Sequence, residues 1–192
     1  MKHFGENCLF SAFDTPNVSE WISSSALDLS SIMPIQKPSA GQLLSIADIY
    51  RRLLPLIGTS IDYIDAHQER NRGSALHAKI CSMLGYGEYA DDGQYPDIVH
   101  QLIAVKLQTS PTIDLGMHSP LDGELLLETG KKSFTSKDVR YVIFDAKVDS
   151  GRISLDNLYV VNGEHFTEAF PLFQGKVQNR KLQIPLPKDF FD

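Results

Sequence analysis

The stretch Gly93–Gly116, GQYPDIVHQLIAVKLQTSPTIDLG, decides how the rest of the chain is interpreted. Its central segment, LIAVKLQ, alternates β-forming apolar residues with residues that include a lysine and an amide, which predicts a half-buried strand. Lys106 and Gln108 then lie side by side on one face of that strand. Upstream, YPDIV predicts a second short strand, and the polar connection VHQ is short enough for a tight hairpin. The hairpin folds Asp97 back toward Lys106.

This hairpin carries residue types that suit phosphodiester hydrolysis. Carboxylates on two neighbouring strands hold Mg²⁺, which lowers the pKa of a bound water and neutralises charge that builds on the phosphate. A lysine two residues after the second acid orients or polarises that water. Here the sequence supplies Asp97 and Lys106, but Ala104 stands where the second acid is expected. The pattern therefore indicates a metal-dependent nuclease hairpin that lacks one acid.

The same residues resemble a known family. Pro96–Asp97 followed by Ala104–Lys106 resembles the PD-(D/E)XK nuclease signature, and the runs GQYPDI, KLQTSPTIDLG and KLQIPLP resemble type II restriction endonucleases of that superfamily. The resemblance extends from about Glu69 to the C-terminus. The bare signature has little specificity. The longer run, in its strand context, is much more specific. It implies an α/β fold with a restriction-endonuclease-like core, in which helices flank a central mixed β-sheet.

The resemblance also implies a role for each residue of the hairpin. Asp97 is expected to bind Mg²⁺, and the backbone carbonyl of Val105 is expected to supply a second ligand. Lys106 is expected to activate the attacking water, with Gln108 as its support. Ala104 occupies the position of a catalytic, metal-binding acid. An alanine methyl offers no oxygen to the ion, so the chain is expected to be an inactivated form.

Three explanations of Ala104 compete. The alanine is an engineered replacement of a glutamate, which the completeness of the surrounding match favours; or it is natural and another carboxylate binds the metal; or the chain is a natural pseudonuclease. The main hypothesis is a Mg²⁺-dependent, sequence-specific endodeoxyribonuclease that cleaves double-stranded DNA. Because cleavage of both strands needs two active sites, a homodimer is expected. The alternative is a DNA-binding or assembly module without catalysis.

A helix predicted over Ile64–Leu84, with Gly85 as its stop, precedes the hairpin. Extending its apolar face backward reaches Glu69, a charge that is costly to bury without a partner. In the resembled nucleases a helical glutamate often faces the metal site, so Glu69 is a candidate second-metal or orienting acid. In the structural alternative it complements the helix dipole or pairs with Arg70 or Arg72.

Several polar residues are candidates for DNA contacts, because lysine and arginine bind phosphates while arginine and amide side chains also read base edges. For each of them a solvated side chain or a local backbone cap is the structural alternative. The candidates are Arg70, Arg72, Thr109, Ser110, Thr112, Lys176, Gln178, Asn179 and Arg180.

Composition bounds the remaining possibilities. With 192 residues and 42% hydrophobic content, the chain is expected to form one globular domain, 39–192, preceded by an irregular N-terminal arm, 1–38. A further recognition domain in a longer enzyme is an open alternative. The net charge of −6 argues against a generic nucleic-acid binder but allows local basic patches. Cys8 and Cys81 form neither a disulfide framework nor a metal motif, and no signal peptide or membrane-spanning run occurs, so a cytoplasmic location is expected.

The other elements are predicted from local signals. A capping box that starts at Ser39 predicts a helix of about four turns over LLSIADIYRRLLPLIG. The loop GYGEYADDGQ lacks EF-hand spacing, so Asp91 and Asp92 are assigned to turn chemistry. Strands are predicted at 138–144 and 152–161 with a turn between them, and the prolines of KLQIPLP confine it to an edge.

Overall fold

The computed structural model of the protein describes residues 2–3, 8–62, 69–110, 112–130, 132–170 and 183–185. The helices in these ranges are α1 (Pro16–Ser19), α2 (Ile46–Leu53), α3 (Glu69–Leu84) and α4 (Phe166–Ala169). The strands are β1 (Lys2–His3), β2 (Cys8–Phe10), β3 (Ser60–Asp62), β4 (Ile103–Gln108), β5 (Thr112–Asp114), β6 (Leu125–Thr129), β7 (Lys132–Thr135), β8 (Arg140–Asp149), β9 (Arg152–Asn162) and β10 (Gln183–Pro185).

The main sheet is mixed, with β8 and β9 as its antiparallel centre. β4 pairs with β8 in parallel, and β2 pairs with β9 in parallel. The order across the sheet is β1-β2-β9-β8-β4, and β3 pairs with the far part of β9. Within the described ranges β4 is therefore an edge strand. β5 with β10 and β6 with β7 form two small sheets of their own.

The β8–β9 hairpin follows directly from the sequence. Its turn uses Ser150 at φ 49° and Gly151 at φ 78°, a left-handed pair that matches the twist of two-residue hairpins. The strands predicted at 138–144 and 152–161 are confirmed, and β8 continues to the turn at Asp149. This long hairpin is the frame against which β4 is aligned.

Apolar clusters cover both faces of the sheet. On one face, α2 and α3 pack on β8 and β9 and form the first core, which includes Ile49, Leu76, Ile80, Val142 and Leu158. On the other face, α4 and β5 form the second core, which includes Ile113, Tyr141, Ile143, Val161 and Phe166. The predicted α/β architecture, a central mixed sheet with flanking helices, is confirmed at this level.

α2 begins later than its predicted capping box at Ser39. Its N-cap is Ser45, whose hydroxyl accepts the amide of Asp48 at 3.0 Å. The chain before it is held by tertiary bonds instead, since the amide of Leu44 donates to the Gln101 side chain at 2.8 Å. The predicted stop of α3 is confirmed, because Gly85 follows it with a φ of 98°.

The segment predicted as an irregular arm, 1–38, is corrected in its N-terminal half. β2 joins the main sheet, and Asp14 forms a buried ion pair with Arg140, 2.7 Å between Oδ1 and Nε. The same guanidinium donates to the carbonyl oxygens of Gln101 and Leu44, both at 2.8 Å. These bonds tie the arm to the start of β8, which scattered aromatic residues without a period did not indicate.

Membrane insertion was not expected from the sequence. In the described ranges no helix combines the length and apolar character that a membrane crossing demands. Most apolar side chains of α2 and α3 are instead used in the first core.

Candidate active site

The predicted hairpin is present in a compact form. Ile98 and Ile103 form an antiparallel bridge in which each amide donates to the other's carbonyl, at 3.0 and 3.1 Å. The connection is a 3₁₀ turn, Val99–Gln101, closed by Leu102 at φ 51°. The prediction of a strand over YPDIV is wrong, because the bridge between Ile98 and Ile103 is the only strand pairing that this segment makes with the described residues. The amide of His100 donates to the carbonyl of Pro34, which draws the connection toward another part of the chain.

Asp97 folds back onto β4, as predicted. Its Oδ2 accepts the backbone amide of Val105 at 2.7 Å. Because β4 pairs with β8 along its other side, this bond places the carboxylate at the edge of β4 that faces away from β8. The next residue of the strand is Lys106, which is partly buried.

The environment of Asp97 disfavours an isolated negative charge. Burial raises the pKa of its carboxyl above the usual range, and the nearby charge of Asp91 raises that pKa further. The Val105 amide, Lys106 and His77 act in the opposite direction and lower it. An additional cation near this carboxylate is therefore electrostatically favourable.

A cavity of about 140 Å³ lies between α3 and the edge of β4. Its walls combine apolar and polar side chains, namely Ser74, Leu76, His77, Asp91, Asp97, Val105 and Leu107. The ring of His77 is only 5% exposed, and its Nε2 lies 3.3 Å from the carbonyl oxygen of Asp97. The cavity is the place where the acid of the hairpin meets the polar side chains of α3 and of the loop before the hairpin.

Cys81 lies one turn beyond His77 on α3, with its Sγ 3.7 Å from Nε2 of the ring. Burial raises the pKa of this thiol to about 12, with a further contribution from Asp91. The thiol is therefore protonated at neutral pH, so Cys81 is a poor nucleophile. Its contact with the ring helps to hold His77 in place.

The predicted alternation of β4 is confirmed. Val105 and Leu107 pack against the first core, with Ile103 buried in it. Ala104 points to the opposite face, where it is completely buried in the second core. In the register of β4 and β8, Ala104 is the partner of Tyr141 and Lys106 is the partner of Ile143. A longer acid at position 104 would enter an apolar cluster rather than the cavity.

Gln108 and the residues after it were predicted near the catalytic lysine and DNA. Gln108 is buried, and its Nε2 donates both to the carbonyl of Ser110 and, at 3.1 Å, to the Ser110 hydroxyl. These bonds fix the chain where it leaves β4. Thr109 and Ser110 are exposed, so both remain accessible for the predicted phosphate contacts.

The other predicted site residues lie on α3, at the start of β5 or outside the described residues. Glu69 begins α3, the helix that also supplies Ser74 and His77 to the cavity. Arg70 and Arg72 follow in the same helix, and Thr112 begins β5. The C-terminal candidates lie outside the described residues: Lys176, Gln178, Asn179 and Arg180.

Sequence reasoning missed three polar residues of the cavity, Ser74, His77 and Asp91. Asp91 was assigned to turn chemistry, and its Oδ1 does accept the amide of Gly93 at 2.9 Å, yet it also lines the cavity. His77 follows Leu76 on the buried face of α3 and precedes Cys81 by one turn. A polar ring on an otherwise apolar helical face was the available signal for it.

Carboxylate oxygens, the type of donor that Mg²⁺ prefers, line the cavity. Within the described ranges no three His, Cys, Asp or Glu side chains are grouped closely enough to enclose a metal ion. Mg²⁺ does not require such a cage, since it commonly uses one or two carboxylates and keeps several waters. The Asp97 carboxylate and the Val105 carbonyl are the oxygen donors that would hold it on the hairpin.

Comparison of the chain with known proteins leaves its family open. No family model, no curated protein and no solved structure matches it. Its function is therefore inferred from the chemistry of its own residues.

Proposed function

We propose that the chain is a Mg²⁺-dependent, sequence-specific endodeoxyribonuclease of the type II restriction class, built on a restriction-endonuclease-like core and slowed by Ala104. The single observation that supports this most is the bond between the Asp97 carboxylate and the Val105 amide at 2.7 Å. This bond holds the acid at the edge of β4, beside the cavity. Lys106 follows Val105 in the same strand.

The hairpin residues would act together on a phosphodiester of double-stranded DNA. Asp97 and the Val105 carbonyl would hold Mg²⁺, which when bound supplies Lewis acidity toward the phosphate and a water of lowered pKa. The strand alternation puts Lys106 on the same face of β4 as Ala104, so its long side chain would bend around the strand edge to orient the attacking water and stabilise negative charge on the phosphate. The exposed hydroxyls of Thr109 and Ser110, which follow β4, would contact the DNA backbone. Two copies of the chain, one for each strand, would form the active homodimer.

With Ala104 the hairpin carries a single acid, Asp97. The loss of one acid is expected to lower the rate by about a thousandfold or more, which corresponds to several kcal/mol of transition-state stabilisation. A second candidate function is DNA binding without cleavage. It is favoured by the complete burial of Ala104 in the second core, where an alanine fits the packing and an acid does not.

Prolonged incubation of a mixed-sequence plasmid with the chain in Mg²⁺ tests the proposal. We expect discrete fragments to appear slowly, to be absent in EDTA and to be absent with Asp97→Asn. A Mg²⁺-dependent mobility shift of the DNA without fragments would support the binding function instead. If the chain neither cuts nor binds DNA, both proposals are wrong.

A further inference from the structure

The second carboxylate of the proposed metal site has to come from a residue that faces the cavity. Position 104 does not meet this requirement, because Ala104 is fully buried in the second core while Val105 and Leu107 line the cavity on the other face. Successive residues of a strand point to opposite faces. The replacement acid must therefore lie on another element.

Asp91 meets the requirement. It lines the same cavity as Asp97, although six residues separate the two in the chain. Its charge acts on two other groups there, because it raises both the pKa of Asp97 and the pKa of the Cys81 thiol. The Asx turn to Gly93, 2.9 Å from Oδ1 to the amide, holds its carboxylate in the loop that leads into the hairpin.

Both aspartates line the cavity, although Asp91 is exposed and Asp97 is partly buried. Leu76 and Leu107 form part of its lining, and the charges of Asp91 and Asp97 repel each other there. A divalent cation between the two carboxylates relieves that repulsion. The volume of about 140 Å³ is large enough for an ion and several waters, since one water needs about 10 to 15 Å³ of such space.

His77 is nearly buried and forms part of the cavity lining on the side of α3. Its Nε2 faces the carbonyl oxygen of Asp97 at 3.3 Å, and Cys81 supports the ring from the next turn of α3. The backbone of Asp97 is thereby connected to α3. Such support from outside the ligand shell keeps a metal ligand in its orientation.

We propose that Asp91 is a metal ligand and supplies, together with Asp97, the second carboxylate that position 104 lacks. This inference rests on the proposed function, since it concerns the same Mg²⁺ site. The two carboxylates and the Val105 carbonyl would hold Mg²⁺, and waters would supply its remaining ligands. The loop before the hairpin then has a direct part in binding the ion.

Calorimetric titration of the protein with Mn²⁺, a spectroscopically useful substitute for Mg²⁺, tests this role without any cleavage assay. The variants are Asp91→Asn and the control Asp92→Asn. The control removes the same charge from the neighbouring residue, which is exposed like Asp91 but does not line the cavity, and whose Oδ1 accepts a similar turn bond from the Gln94 amide at 3.2 Å. In both variants an asparagine oxygen can still accept the turn bond.

We expect Asp91→Asn to weaken Mn²⁺ binding by about tenfold or more, the scale on which even supporting residues of a metal site act, and Asp92→Asn to change it less than about twofold. Equal effects of the two variants would overturn the role of Asp91. If Asp97→Asn abolishes binding while Asp91→Asn does not weaken it, this inference fails but the proposed site stands. If the unaltered protein binds no Mn²⁺, the proposed metal site itself is wrong.

Discussion

The two faces of β4 differ in what covers them. The face of Val105 and Leu107 borders a cavity that two aspartates also line, whereas the face of Ala104 is packed against aromatic and branched side chains. The strand alternation that suggests a nuclease hairpin thus directs positions 104 and 106 to the face opposite the one where the acids meet. The order of residues in a sequence motif does not show which of their side chains face the same cavity.

The edge position of β4 makes the difference functional. An inner strand would use all its amides for pairing, but Val105 can give its amide to the Asp97 side chain because no described strand occupies that edge. The packed face in turn holds the strand in register with β8 over six residue pairs. One face therefore positions the strand, and the other leaves room for a ligand.

Ala104→Glu is the variant with the largest expected effect on this comparison. A carboxylate in the second core has to be buried without a partner, so we expect the free energy of unfolding to fall by about 4 kcal/mol. Urea unfolding measures it, with Ala26→Glu as the exposed control for the same chemical change. Unchanged stability together with a new stabilisation by Mg²⁺ would mean that position 104 does reach the metal.

Acid is expected to weaken the hairpin that brings Asp97 to β4, through His100. His100 is 1% exposed, and its Nδ1 lies 2.9 Å from the hydroxyl oxygen of Tyr86. Burial lowers the pKa of His100 from 6.5 to about 4. The unfolded chain therefore takes up a proton at higher pH than the folded chain, and the stability present above pH 6.5 is lost as the pH falls toward 4.

The expected loss is up to about 3 kcal/mol between those two pH values. Unfolding free energies of the unaltered protein and of His100→Gln, measured from pH 7.5 to pH 4.5, isolate the contribution of this residue. The variant should show a shallower pH dependence. An identical slope in both proteins would show that His100 is protonated in the folded state without cost.

Local patterns were sufficient to predict β4 and the return of Asp97 to it, but not the absence of a strand over YPDIV. The alternation of LIAVKLQ gave the two faces of β4 correctly, and the short connection gave the return of Asp97. The local patterns did not predict which side chains cover each face of β4. The second core over Ala104 is made by residues such as Tyr141 and Phe166, and neither lies near it in the chain.

The misplaced helix start and the missed aspartate have the same physical origin. Ser39 and Ser45 both suit an N-cap, and the choice depends on the bond from the Leu44 amide to Gln101, 57 residues away. Asp91 does form the turn that its neighbours indicate. Its place in the cavity depends on where α3 lies, which no pattern in the loop contains.

Truncation of one apolar side chain on each side compares the packing directly. Ile143 is fully buried in the second core, while Leu107 is only partly buried and already lines the cavity. We expect Ile143→Ala to lower stability by about 3 to 4 kcal/mol and Leu107→Ala by about 1 to 2 kcal/mol, because little new cavity is created in the second case. Chemical unfolding of both variants measures the difference of about 2 kcal/mol. Equal losses would contradict the open character of the Leu107 face.

The smallest expected effect concerns the cost of keeping Asp97 charged. In metal-free buffer at neutral pH, Asp97→Asn should stabilise the protein by about 1 kcal/mol, because it removes a partly buried charge that Asp91 repels, and the asparagine oxygen can still accept the Val105 amide. Thermal unfolding measures this as a shift of a few degrees, and Asp92→Asn should leave stability unchanged within about 0.5 kcal/mol.

Added Mg²⁺ should reverse that order. The unaltered protein gains stability that rises with the logarithm of the Mg²⁺ concentration relative to Kd, and Asp97→Asn gains none. If, in metal-free buffer, Asp97→Asn is less stable than the unaltered protein, the Asp97 carboxylate contributes to the fold rather than to a ligand site. The face of Val105 and Leu107 would then be a packing defect at a sheet edge, and its resemblance to a nuclease hairpin would carry no function.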